Sequence, residues 1–302
     1  MINNTFRSLF MDAQLKQKII QGISSGSIIP YLGSGALAGS VSVADGTPIP
    51  ADSDSLIYAM NNGSAMAPKL MYEFPRAAMN LELKKGRNFI TRTLNRIYAE
   101  TKWTRSPLHQ WLATIQPHYI VDINRDTQLQ GSYSNRPHTL IVGLARIGGT
   151  DYRFKLFSYA DGSYTETTPE AVDASLPILF KPMGTPAPEA NYVASDADYV
   201  DYITELMGGF GIPAFLKEYR IGKQYLFIGL RMTRDTERMV LSDIIYAADK
   251  PTTGWALIPE PNDKERRFCK KMGIEIIEAD ATALFASDAA LVDAYPELQV
   301  GC

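Results

Sequence analysis

The sequence predicts an open α/β sheet, mostly parallel and covered by helices on both faces, and three observations lead to it. Apolar runs rich in β-branched and aromatic residues recur along the chain, helical stretches separate several of them, and most runs are continuously rather than alternately hydrophobic. A strand buried on both faces needs that continuous character, and alternation with helices is the mark of parallel crossover units. The 302 residues, 45% of them hydrophobic, are enough for one large domain with a substantial core.

In chain order, a helix is predicted over 11–24 and a strand in SIIPYL (27–32). Residues 55–104 hold no convincing strand and read as a helical insert, in which NFITRTLNRIYAE (88–100) places Phe89, Ile90, Leu94 and Ile97 on one face. A helix over 106–115 leads into the strand YIVDI (119–123). TLIVGLARI and YRFKLFSY, on either side of a Gly-Gly turn, read as a β-hairpin over 139–159 within a second insert, 131–175. LPILF (176–180) is the next strand and TPAPEA (185–190) a loop. Helices over 196–207 and 212–220, the strand YLFIGL (225–230), a helix over 234–248, the strand WALIP (255–259), a helix over 262–272 and the strand IEIIE (274–278) complete a single domain, 1–302.

Composition excludes several functions. With 30 basic and 33 acidic residues the net charge is -3, and the densest basic stretches, Lys84-Lys85 and ERRFCKK (265–271), read as solvated helix faces, so nucleic acid is not an expected partner. Two cysteines, Cys269 and Cys302, cannot supply a disulfide framework or a four-thiolate zinc site, so no metal is expected and a reducing cytoplasm is the natural location. No run of about 18 apolar residues occurs, and no membrane association is expected.

The first strand runs into Gly33-Ser34-Gly35-Ala36-Leu37-Ala38, a match to the dinucleotide fingerprint with Ala last. Glycines there let backbone N–H groups approach a pyrophosphate. The next stretch, GSVSVADGTPIPADSD (39–54), has two glycines and two prolines where a dehydrogenase needs a crossover helix, and no acidic residue ends a strand some 20 residues on. Hydride transfer is therefore disfavoured. Polar residues at the C-terminal strand ends face the crevice where such sheets bind ligands, and Asn124, Asp126, Gly229 and Arg231 qualify.

A Gly-x-Gly turn followed by a long loop closing on Gly46-Thr47-Pro48 resembles the cofactor loop of the sirtuin superfamily, and SPLHQWLATIQPHYIVDINRD (106–126) resembles the segment that in a divergent bacterial branch ends in Thr-Thr-Asn-Tyr-Asp. LPILFKPMG resembles the strand that delivers the family's His-Gly, VASDADYVDYI (193–203) the helix start after it, and YLFIGLRMTRD (225–235) the later strand and Gly-x-Ser-x-x-Asp turn; WALIPEP and IEIIEAD resemble the last strands. The resemblance implies a Rossmann-like fold and NAD or ADP-ribose as ligand. It implies Asn124 as the catalytic Asn with Asp126 as its acidic companion, and a nucleotide contacted by Gly33, Ser34, Gly35, Ala36, Pro48, Asn124, Asp126, Met183, Gly184, Gly229 and Arg231.

Two departures bear on chemistry. Two cysteines cannot build the zinc ribbon of the deacylating sirtuins, whereas the branch without it includes NAD-cleaving enzymes of antiviral defence. Met183 stands where the family's catalytic His precedes Gly184, and a thioether cannot take a proton; losing a general base typically costs roughly 10²- to 10⁴-fold in rate. Candidate substitutes are His138, read as a loop residue, and Asp122 and Asp126, whose other role is capping and loop hydrogen bonding. His109 and His118 read as structural hydrogen-bonders, and Lys181 and Arg231 are cations that could bind pyrophosphate or neutralise an Asp. Three functions are expected from this: a sirtuin-like NAD- or ADP-ribose-binding sensor or regulatory protein with impaired cleavage, an active NAD glycohydrolase with a substitute base, or a ligand-free scaffold. A protein partner and a homo-oligomer stay open.

Overall fold

The computed structural model describes residues 11–146, 152–233, 238–241 and 254–285. Along the chain the strands are β1 (Ile28–Leu32), β2 (Tyr119–Asp122), β3 (His138–Gly143), β4 (Phe154–Ala160), β5 (Ser163–Thr167), β6 (Ile178–Lys181), β7 (Gly184–Thr185), β8 (Asn191–Tyr192), β9 (Gln224–Ile228), β10 (Gly254–Leu257) and β11 (Ile274–Ile277). Nine of them form one sheet in the order β11-β10-β9-β1-β2-β6-β3-β4-β5, and β7 and β8 pair separately. From β11 to β3 every neighbour is parallel, while β4 and β5 are antiparallel. The predicted α/β architecture is therefore present.

The continuous apolar runs explain why the central strands are covered twice. Every residue of β1, β2 and β6 is buried. Side chains alternate between faces, so Ile29, Tyr31, Tyr119, Val121, Ile178, Phe180, Tyr225 and Phe227 form one core with Tyr202, Ile203 and Leu206 of a helix over Asp196–Met207. Ile28, Leu32, Ile120, Leu179, Leu226 and Ile228 point the other way and pack on Ile19 and Ile23 of the helix Ala13–Ser24 and on Leu108 and Leu112 of the helix Pro107–Ile115. Asp12 and Ser106 cap these two helices by accepting N–H groups in the first turn.

The stretch expected as a helical insert, 55–104, holds most of the α-helix Ser53–Met60, the α-helices Phe74–Lys85 and Arg87–Asn95 and a π turn Arg96–Glu100, with irregular chain at 61–73 and 101–104. They bury a core of their own around Leu56, Ile57, Ala78, Leu81, Ile90 and Leu94. An ionic clasp ties this unit to the sheet: Asp198, fully buried, accepts from Arg87 and from Arg146 (2.7 Å) and also from the backbone N–H groups of Ala194 and Ser195.

The expected hairpin is present as β3 and β4, with Gly143 opposite Phe154, while its Gly-Gly turn lies outside the described residues. It also continues the main sheet, because β3 pairs in parallel with β6. A further strand, β5, was not anticipated, although Asp161 (φ 50°) and Gly162 (φ 81°) form the two-residue left-handed turn that an Asp-Gly pair favours. The loop expected at 185–190 joins the short strands β7 and β8. The helix expected over 234–248 lies outside the described residues except at 238–241, and so does Cys302.

Candidate functional site

The chain leaves β1 toward β2 on one side, and β9 lies on the other, so the C-terminal end of β1 is a switch point where open sheets bind ligands. Leu32, Asp122 and Ile228 are level across the three strands, which brings the residues after them, Gly33, Ile123 and Gly229, to one rim. The rim is tightly interlocked. Gly33 N–H donates to the Ile228 carbonyl (2.9 Å) and Gly35 N–H to the Gly229 carbonyl (2.8 Å). A Cβ on Gly35 would meet Gly229 Cα at 2.7 Å, and one on Gly229 (φ 67°) would meet Ala36 N at 2.5 Å.

Glycine is therefore required here for direct contact between main chains. The Gly33 and Gly35 N–H groups, expected to hold phosphate, both bond the end of β9 in this structure. Ala36 is likewise internal, its N–H bonded to the Gly33 carbonyl and its own carbonyl to Ser106 Oγ (2.7 Å).

Three adjoining compartments open along this rim, and Ser34 lines all of them. The largest, about 280 Å³, is mainly apolar and lies over the ends of β9 and β10, with Pro107, Gly229, Leu230, Arg231, Leu257 and Phe285 among its walls. The second, about 200 Å³, lies against the loop after the turn and includes Pro48, Ile49 and Asp52. A third, about 60 Å³, brings Asn124 and Met183 together with Arg125, Tyr199 and, from the helical unit, Glu73, Phe74 and Tyr98.

Asn124 has a fixed orientation. Its Nδ2 donates to the Gly33 carbonyl and to Asp122 Oδ1, both at 2.8 Å, and its backbone N–H donates to the same Oδ1 at 2.9 Å. Two acceptors facing one amide nitrogen settle which way round it sits. The Oδ1 acceptor is what remains for the cavity. Asp122 Oδ2 accepts from Lys181 Nζ at 2.6 Å, and both side chains are fully buried.

The other expected residues are distributed less simply. Met183 is buried and lines the same small compartment as Asn124, while Gly184 (φ 86°) lines none of the three compartments and pairs with Tyr192 between β7 and β8, where a Cβ would meet Asn191 O at 2.0 Å. Asp126, expected beside a ribose, also lines none of them: its Oδ1 accepts the Gln128 N–H (2.7 Å) and its Oδ2 is buried. Arg231 lines the large compartment but is bonded to both oxygens of Glu265, at 3.0 and 3.3 Å. Lys181 and Arg231 thus both neutralise carboxylates.

None of the proposed substitute bases faces the small compartment. His138 begins β3 rather than sitting in a loop, and its ring bonds Tyr164 Oη (2.7 Å) and the Arg136 carbonyl (3.0 Å). His109 is buried against Ser106 Oγ (2.8 Å), and burial holds both imidazoles below the usual histidine range. Asp122 is held by Lys181. Sequence reasoning missed Glu73 and Arg125, although Arg125 directly follows Asn124 and Glu73 marks a helix start before Phe74-Pro75.

Among the described residues no group of three or more His, Cys, Asp or Glu could hold a metal ion, and no helix is long and apolar enough to cross a membrane. Cys269 is buried, and desolvation pushes its thiol up to about 11. The sequence model for the SIR2-like domain family matches residues 120–277, from β2 through β11. The chain belongs to the SIR2-like family. SIR2-like membership accords with the mostly parallel sheet and suggests an NAD-related function. None of the curated proteins matches this SIR2-like chain.

Proposed function

We propose that this SIR2-like protein binds NAD or ADP-ribose along the three compartments, with glycosidic cleavage impaired, and acts as a nucleotide sensor or regulatory protein. The observation that carries the reading is that Asn124 and Met183 line one compartment together with Ser34 of the glycine turn. By its resemblance to the defence-type branch, position 183 is where the family's base belongs, and a thioether there cannot accept the ribose proton. The apolar compartment of about 280 Å³ suits a purine ring, and Asn124 Oδ1 suits a ribose hydroxyl.

The test is ligand-dependent melting of the purified protein with NAD and with ADP-ribose. Ligand at 100 times its dissociation constant should add ~2.7 kcal/mol of stability. A melt unmoved by saturating concentrations of both rejects the proposal.

A second reading rests on Glu73, a buried carboxylate that lines the same cavity as Asn124. In it the chain is an active NAD glycohydrolase with Glu73 as substitute base. That reading requires nicotinamide release that is lost in both Glu73→Gln and Asn124→Ala, and release indifferent to Glu73 removes it.

A further inference from the structure

Arg125 is an unusual side chain to find lining the small compartment. It is 6% exposed, and its Nε and Nη2 both donate to the Val193 carbonyl, at 3.0 and 2.6 Å. Nη2 also donates to Tyr199 Oη at 3.0 Å, and the guanidinium lies 5.0 Å from the centre of the Phe74 ring. All these partners are neutral. Among the described residues no carboxylate lies within ion-pairing distance of Arg125, in contrast to Lys181 and Arg231.

A guanidinium taken out of water without a counter-ion is costly, and an anion that reaches it is bound with a strength that water would otherwise mask. Nη1 has no protein partner among the described residues, so its N–H groups are the donors that Arg125 offers to the cavity it lines with Asn124 and Met183. The carboxylates on the same wall are otherwise placed. Asp52 is exposed and caps a helix through the Ser55 N–H (2.9 Å), and Glu73 stands at the N-cap of the helix Phe74–Lys85, beyond ion-pairing distance of Arg125.

We infer that Arg125 selects a ligand whose end beyond the second ribose carries an anionic oxygen group, a carboxylate or a phosphate, over one ending in an uncharged carboxamide. The inference rests on the nucleotide-binding reading above and names the chemistry of the distal end of that ligand. Hydrogen bonds to a charged group are worth enough for a preference of about tenfold or more.

The experiment measures dissociation constants by calorimetry for four probes: ADP-ribose, NAD, nicotinic acid adenine dinucleotide and ADP-ribose 1″-phosphate. NAD and its nicotinic acid counterpart differ only in a carboxamide against a carboxylate. The expected result is binding of the nicotinic acid form about tenfold tighter than NAD, a ratio near one in Arg125→Gln, and a ratio largely kept in Arg125→Lys. The phosphate probe, compared with ADP-ribose, reports which anion fits better. Equal or tighter binding of NAD by the unaltered protein overturns the assignment while leaving nucleotide binding intact. An unchanged ratio in Arg125→Gln does the same. Failure of all four probes to bind overturns both readings together.

Discussion

Lys181 Nζ and Asp122 Oδ2 lie 2.6 Å apart with both side chains fully buried, directly behind Asn124. Removing one member leaves an uncompensated buried charge, which typically costs about 3–5 kcal/mol. Lys181→Met should destabilise the protein by that amount in urea unfolding. Adding Asp122→Asn should recover a large part of it, because the replacement amide is neutral and can still accept from Asn124.

Met183→His places an imidazole in the compartment that Asn124 also lines. If position 183 is where the base belongs, nicotinamide release from NAD should rise by roughly 10²-fold or more over the unaltered protein, within the range general bases supply. The gain should vanish when Asn124→Ala is added. Chromatography of reaction mixtures checks both outcomes.

Gly229→Ala should destabilise the fold by about 3 kcal/mol, combining a left-handed backbone at φ 67° with a Cβ only 2.5 Å from Ala36 N. Gly46→Ala provides the contrast, since nothing lies within 4 Å of a Cβ there and only the backbone term at φ 73° applies. Thermal melts of the two variants should therefore differ clearly.

His109, His118 and His138 all have pKa values lowered by burial. The unfolded chain then binds more protons than the folded one below the ordinary histidine value near 6.5, so stability falls as pH drops through that point and is fully present above it. The slope below it approaches about 1.4 kcal/mol per pH unit for each histidine that stays neutral in the fold. Denaturation curves between pH 5 and pH 8 should show the loss, and His138→Phe should make it shallower.

Asp198 responds in the same direction for another reason. Burial alone would raise its pKa, but Arg87 and the Ser195 and Ala194 N–H groups outweigh that and hold it below the usual carboxylate value. Its contribution is present above the unfolded pKa and disappears as acid protonates the folded carboxyl. Asp198→Asn should cost about 2 kcal/mol at neutral pH, as measured in urea, and the difference from the unaltered protein should shrink toward pH 3.

The strands that form the site were legible because each is a continuous apolar run; SIIPYL, YIVDI and YLFIGL could hardly be anything but doubly covered strands. The positions of Asn124 and Met183 were also legible, since chain order carried them to neighbouring strand ends. What the amides of Gly33 and Gly35 do was not, because a sequence records where a glycine stands but not which carbonyl across the sheet takes its N–H. For Asp126, Asp-x-Gln after a strand suits ligand binding and helix capping equally, and the sequence does not show that its Oδ1 accepts the Gln128 N–H. Glu73 and Arg125 escaped notice because their meaning comes from the helical unit folding back onto the sheet, a contact between segments some 50 residues apart.

The rim where Gly33, Gly35 and Gly229 touch is joined through main-chain atoms alone. This part of the crevice's outline is consequently set by backbone, with Asn124 adding a side-chain bond to the Gly33 carbonyl. Side chains that line the crevice without bonding this backbone, Met183 among them, can therefore be exchanged while the glycine contacts stay in place. Such a scaffold can change its occupant over generations before it changes its shape.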